Sequence, residues 1–179
     1  MKKLILGIGI PASGKSTFLE PFAMKNGYKY ICVDKVRAEF QIDRDNPLAS
    51  TDNPATFEVW DEIRFRTQKY LLEENSVIVD ATFAKPELRQ EFIEIGSRNG
   101  AKVTGFFLDV CPDIAWERNL LREQKVPEQV FWERVSQIQN QPPSIQDGFD
   151  SIFMFSEQGY LRAQNGTTRL FKLFNQIKI

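Results

Sequence analysis

The chain of 179 residues has no histidine and only two cysteines, Cys32 and Cys111. Without imidazole it cannot build a histidine-ligated metal centre or a Ser-His or Cys-His nucleophile. Two thiols make a poor zinc site. Each ends or edges an apolar run, so both read as small buried hydrophobes rather than as a disulfide. A charge excess is also missing: 23 Lys and Arg stand against 24 Asp and Glu, a net charge of −1. No global basic field therefore marks a nucleic-acid binder, and any such surface has to be a local patch. No apolar stretch approaches the roughly 18 residues of a spanning helix. The opening "MKKLILGIGIPASG" imitates a signal peptide, but its apolar run leads straight into a glycine-rich loop, and a cytosolic (cytoplasmic) protein is expected.

Hydrophobic residues make up 42% of the chain and charged residues 26%, an ordinary globular balance with enough length for one domain. Apolar runs alternate with amphipathic segments. Strands are expected at 3–10, 28–33, 76–82, 101–110 and 148–155. Helices are expected from Gly14 to Asn26-Gly27 (with a kink or early break at Pro21), from Asp34 to about Gln41, and over 57–75, 85–100, 111–124 and 126–143. "DRDNPLASTDNPAT" (43–56) reads as a long polar loop. "TTRLFKLFNQI" in the tail reads as a last helix. The alternation predicts an α/β fold of the P-loop NTPase type, a parallel sheet of about five strands with helices on both faces. A domain is placed at 1–155, with 156–179 as a C-terminal extension packed on it.

"GIPASGKST" (9–17) matches G-x-x-x-x-G-K-[ST], with an expected strand before it and a helix after it. Gly9, Ala12, Ser13 and Gly14 line a loop whose successive N–H groups, with the helix N-terminus, suit phosphate oxygens. Lys15 is placed to reach the β- and γ-phosphates of ATP, Ser16 to coordinate Mg²⁺, and Thr17 to help hold the α-phosphate.

At the second strand "ICVDKVRAEF" ends an apolar run with Asp34 and sets Arg37 one helical turn later. An acceptor hydroxyl loses its proton during phosphoryl transfer, and a carboxylate in reach can take it. In open α/β sheets the reactive crevice lies beyond the carboxyl ends of the strands, where Asp34 falls. Arg37 would hold an anionic group of the acceptor. Asp34 is equally suited to cap the helix, with Arg37 a surface charge. "SVIVDAT" ends in Asp80, the pattern of a Mg²⁺-binding acid after a buried strand, with helix capping as the alternative. Thr82 just beyond it either touches the acceptor or is a loop hydroxyl. "AWERNLLREQK" puts Arg118 and Arg122 on one helix face, either to stabilise charge on the γ-oxygens or as solvated arginines balanced by Glu117 and Glu123. Segment 57–75 interleaves Phe57, Trp60, Phe65 and Tyr70 with Arg64, Arg66 and Lys69. Trp60, Ile63, Thr67, Tyr70 and Leu71 mark a core face, which leaves Arg64 and Arg66 free for a nucleic-acid strand or for solvent.

With these residues in place, the chain resembles the kinase domain of the phage-type 5′-polynucleotide kinases, within the P-loop kinases. "MKKLILGIGIPASGKST", "VDKVR", "VDAT" followed by "KPELR", and "ERNLLREQKVP" carry the likeness, in order, over about residues 1–137. The resemblance implies Lys15 and Ser16 on ATP and Mg²⁺, and Asp34 as general base for the 5′-hydroxyl of a nucleic acid. It puts Arg37 on the acceptor's phosphate, Thr82 on the acceptor, and Arg122, with Arg118, on donor phosphates. The wider group often has asparagine after Asp-x-Thr; this chain has Phe83. The chain has no room for the family's phosphatase domain, so kinase activity alone is expected. Acid-x-x-arginine after the second strand also occurs in P-loop kinases of small molecules. Two rivals therefore stand beside the polynucleotide kinase: a small-molecule kinase, and a binding module with no acceptor.

Overall fold

The computed structural model describes residues 1–40, 54–156, 161–164 and 167–171. Five strands, β1 (Lys3–Ile8), β2 (Lys29–Cys32), β3 (Val77–Asp80), β4 (Lys102–Leu108) and β5 (Ser151–Phe155), run parallel in the order β2-β3-β1-β4-β5. They are the five strands expected from the apolar runs, each trimmed at its ends. Two more, β6 (Leu161–Gln164) and β7 (Thr167–Phe171), continue the sheet antiparallel beyond β5. Here the tail departs from the sequence reading, which placed a helix over "TTRLFKLFNQI". Its first five residues form β7, and the remainder lies outside the described residues. The paired β-branched Thr167 and Thr168 favour strand, and Asn165-Gly166 between two short runs is a strong hairpin signal in the sequence.

Helices α1 (Lys15–Asn26), α2 (Val33–Glu39), α3 (Pro54–Leu72), α4 (Pro86–Arg98), α5 (Pro112–Leu120) and α6 (Glu128–Asn140) alternate with the strands. Successive β1 side chains point to opposite faces. Leu4, Leu6 and Ile8 join the core under α3, α4 and α6, while Ile5 joins Leu19, Ala23, Ile78 and Phe106 under α1. Both faces are thus covered, as near-continuous apolar strands require. Gly7 lets α1 lie close, because a Cβ there would come within 2.2 Å of Leu19 Cδ1.

Pro21 does not break α1, which continues to Asn26. Phe18, Leu19, Phe22 and Ala23 pack against the sheet on either side of it, and that burial outweighs the lost backbone bond. The helix ends at Gly27, φ 67°, with Tyr28 N–H donating to Ala23 O at 2.9 Å. Helix α3 starts at Pro54, so 54–56 of the expected loop are helical, with proline's fixed φ suited to a first turn. The rest of that loop lies outside the described residues. Cys32 is buried, but Cys111 is exposed where it precedes α5, against the expectation of two buried thiols; neither forms a disulfide. Among the described residues no helix is long and apolar enough to cross a membrane.

One polar group crosses the core. Arg89 on α4 is 1% exposed, pairs with Asp147 at 2.7 Å, and donates to Phe83 O and Ala84 O at 3.1 Å and to Gln141 O at 3.0 Å. It ties the loop after β3 to the segment before β5. Removing one partner of such a pair strands a buried charge. Asp147→Ala should therefore destabilise the fold by about 3–5 kcal/mol, read as a lowered urea midpoint; a midpoint unchanged from the parent would mean that the pair carries no stability.

Candidate functional site

The loop after β1 bends where glycine permits. Gly9 has φ 151° and Gly14 φ 93°. A Cβ on Gly9 would lie 2.9 Å from Leu108 O and 3.0 Å from Ser13 Oγ, so the turn has no room for one. Ala12 takes a left-handed φ of 59°, a strained conformation for a residue with a Cβ. Helix α1 opens at Gly14 with no side-chain cap and no acidic residue in its first turn. Its first-turn N–H groups and positive dipole end therefore face the loop with no acidic side chain of the helix's own first turn beside them. Lys15 Nζ lies over the loop, donating to Gly9 O at 2.8 Å and Ile10 O at 3.0 Å. Ser13 is buried, whereas Ser16 and Thr17 are exposed.

The register of β1 against β3 pairs Gly7 with Asp80. Ser16 Oγ then donates to Asp80 Oδ2 at 2.6 Å, joining the two residues expected at a metal. The donor set is hard oxygen, which fits Mg²⁺. Tyr30 Oη donates to the same Oδ2 at 2.6 Å, a contact that sequence reasoning missed. Gly9 N–H donates to Thr82 O at 3.3 Å, so Thr82 follows β3 directly beside the loop. Phe83, where the wider group often has asparagine, turns away into the core at φ 46°, with its ring centroid 5.3 Å from Phe92 and 6.1 Å from Trp60.

Asp34 sits in the first turn of α2, past Cys32 at the cap position, so it is not the N-cap itself. Its carboxylate meets Arg37 Nη1 at 3.3 Å, with side chains 35% and 23% exposed. Burial pulls the Arg37 pKa below its usual value. That guanidinium is partly desolvated, and its bond to Asp34 is long. Strand β3 separates this pair from β1, so the acid and the loop leave the carboxyl ends of strands that are not neighbours.

Arg118 lies in the last turn of α5 and Arg122 in the loop after it. Neither guanidinium is ion-paired among the described residues, and Glu117 and Glu123 do not balance them. The loop is pinned by Asn119, fully buried, whose Nδ2 donates to Val126 O at 2.8 Å and whose Oδ1 accepts from Val126 N–H at 2.9 Å. This clamp was not singled out from sequence; "RNLLREQKV" holds the asparagine but no signal of a partner seven residues on. On α3, Trp60, Ile63, Thr67, Tyr70 and Leu71 do face the core. Arg64 and Arg66 are not free, however: Arg64 pairs with Asp61 and Glu91, and Arg66 with Glu39 and Glu62.

Removing the Asn119 amide leaves both Val126 backbone groups without this partner. Asn119→Ala should cost about 1–3 kcal/mol. It should also speed tryptic cleavage at Arg122 or Lys125 in the native protein; cleavage at the parental rate would show that the clamp does not restrain the loop.

The AAA domain family AAA_33 matches residues 4–141. The L-seryl-tRNA(Sec) kinase of Methanococcus maripaludis is 29% identical over 138 residues, which is 72% of this chain and 49% of that protein. The chain thus spans about half the length of the curated relative it matches. A chain of the Pnkp1/Rnl/Hen1 RNA repair complex superposes with TM-score 0.66 at 22% identity, covering 83% of this chain and 46% of that one. A gluconokinase from Sinorhizobium meliloti 1021 gives TM-score 0.60 at 18% identity, covering 86% and 82%. At these identities the structural likeness establishes the fold alone, the α/β P-loop type.

Proposed function

The chain belongs to the AAA domain family AAA_33, and on that premise we propose that it transfers the γ-phosphoryl group of ATP to the 5′-hydroxyl end of a polynucleotide. The observation that carries this reading is the Asp34–Arg37 pair just past the carboxyl end of β2, with the phosphate loop and its Ser16–Asp80 contact at the carboxyl ends of β1 and β3 in the same sheet. The loop N–H groups and the start of α1 bind the donor phosphates. Lys15 exchanges its carbonyl partners on the loop for phosphate oxygens. Ser16 and Asp80 would hold Mg²⁺, which when bound neutralises charge on the donor phosphates.

Asp34 accepts the proton of the attacking hydroxyl. Arg37, half-buried and weakly paired, takes an anionic group of the acceptor, and the nearest one on a nucleic acid is the phosphate following the 5′ nucleoside. Thr82 contacts the acceptor beside it. Arg122, with Arg118, brings unpaired positive charge to the γ-oxygens as charge spreads there. A nucleic-acid acceptor is supported by the names of two proteins this chain resembles, a tRNA kinase and an RNA repair complex.

A second reading, phosphorylation of a small-molecule hydroxyl, draws on α3. Its Arg64 and Arg66 are held in internal ion pairs, so they are not free for a nucleic-acid strand as the sequence left them. Gluconokinase and shikimate kinase structures also share the fold.

With γ-labelled ATP, label should pass to 5′-hydroxyl DNA or RNA oligonucleotides and not to the same strands already 5′-phosphorylated. Label on a small alcohol with none on oligonucleotides would select the second reading. Asp34→Asn should lower transfer at least about 100-fold while ATP still binds; near-normal turnover would remove Asp34 from the role of base.

A further inference from the structure

Asp80 is 2% exposed, yet two hydroxyls converge on one of its oxygens: Ser16 Oγ and Tyr30 Oη, each at 2.6 Å from Oδ2. Among the described residues no side chain donates to Oδ1. An ionised carboxylate offers about four acceptor sites, and the hydroxyls fill two of them on a single oxygen. Tyr30 comes from β2, where it pairs with Ile78 while Cys32 pairs with Asp80, so its side chain reaches along the strand to the carboxylate. The ring packs in the cluster of Ile5, Leu19 and Ile78 under α1, and Lys35 Nζ lies 5.5 Å from its centroid. Burial, and then the Asp80 charge, push the phenol pKa up, so Tyr30 stays protonated as a donor.

A hydroxyl has one proton. With that proton directed at Asp80 in the hydrogen bond, only lone pairs of Oγ are left to face outward, which is what a hard cation needs. We infer that Tyr30 is a positioning residue of the metal–nucleotide site: by sharing Oδ2 with Ser16 it fixes the rotation of the Asp80 carboxylate, keeps the Ser16 lone pairs turned outward, and leaves Oδ1 for a cation or its water. The inference rests on the assignment of Ser16 and Asp80 to the metal and does not depend on the acceptor.

Tyr30→Phe keeps the ring and removes only the donor. Mn²⁺ binding to the full chain with ADP, read by electron paramagnetic resonance of free Mn²⁺, should weaken about tenfold, as when a group supporting a metal ligand is lost. Metal-free ADP affinity should stay at the parental value, and the melting midpoint should move by no more than about 4 °C. Unchanged Mn²⁺ affinity, or an equal loss of metal-free ADP affinity, would overturn the inference. Ser16→Ala alone and combined with Tyr30→Phe completes a cycle: the two losses should be non-additive, because both act through one oxygen, and strict additivity would also overturn it. Failure of oligonucleotide phosphorylation leaves this readout intact, whereas absence of metal–ADP binding in the parent overturns both readings.

Discussion

The register between β1 and β3 holds the crevice together. Pairing Gly7 with Asp80 brings the loop after β1 and the carboxylate ending β3 to the same height on the sheet. The pairing continues past both strands, with Ala81 N–H on Gly7 O at 3.4 Å and Gly9 N–H on Thr82 O at 3.3 Å. Ser16 on the first turn of α1 then reaches Asp80 directly. A slip of one residue would turn Asp80 to the opposite face and present an apolar neighbour to Ser16. The register is fixed by burial: Val77, Ile78 and Val79 are each fully buried, so a slip would exchange the apolar side chains that the two faces require.

From that fixed point the rest of the site is arranged by the order of strands. Asp34 and Arg37 follow β2 on one side of β3, while β4 leads on the other side of β1 to Arg118 on α5 and Arg122 in the loop after it, neither ion-paired among the described residues. The sheet supplies a rigid floor, and the acids and arginines assigned to the site stand on segments at or leaving its carboxyl edge, where ligands bind in open α/β sheets. Polar groups inside the fold have partners. Arg89 meets a carboxylate and three carbonyls, Asn119 both backbone groups of Val126, and Asp80 two hydroxyls. Each of these buried groups also ties down a segment next to the crevice.

Much of this was legible in the sequence because the signals are local. The glycine-lysine-serine loop, the apolar run before it, and the acids ending "YKYICV" and "SVIVD" are each read within a few residues. What escaped depends on contacts between distant segments. Tyr30 and Asp80 are 50 residues apart, and Arg89 and Asp147 are 58 apart. Nothing near either tyrosine or arginine announces a partner. The sequence leaves Arg64 and Arg66 free because Glu91 and Glu39, which hold them along with Asp61 and Glu62 of α3, come from other helices. The tail was misread because "TTRLFKLF" fits a helical period as well as a strand. Its first five residues form a strand where β6 offers an edge to pair with, so that tertiary context overrides pattern.

The proposed reaction is one chemical event, in which a phosphoryl group held by the loop would move in a single step to a hydroxyl at Asp34, with no covalent stop on the protein. The stereochemical course at phosphorus tests this most directly. With ATP made chiral at the γ-phosphorus by oxygen isotopes and a 5′-hydroxyl oligonucleotide as acceptor, one in-line displacement inverts the configuration. Inversion is the result predicted; retention would require a phosphorylated intermediate on the enzyme and would contradict direct transfer to a hydroxyl at Asp34.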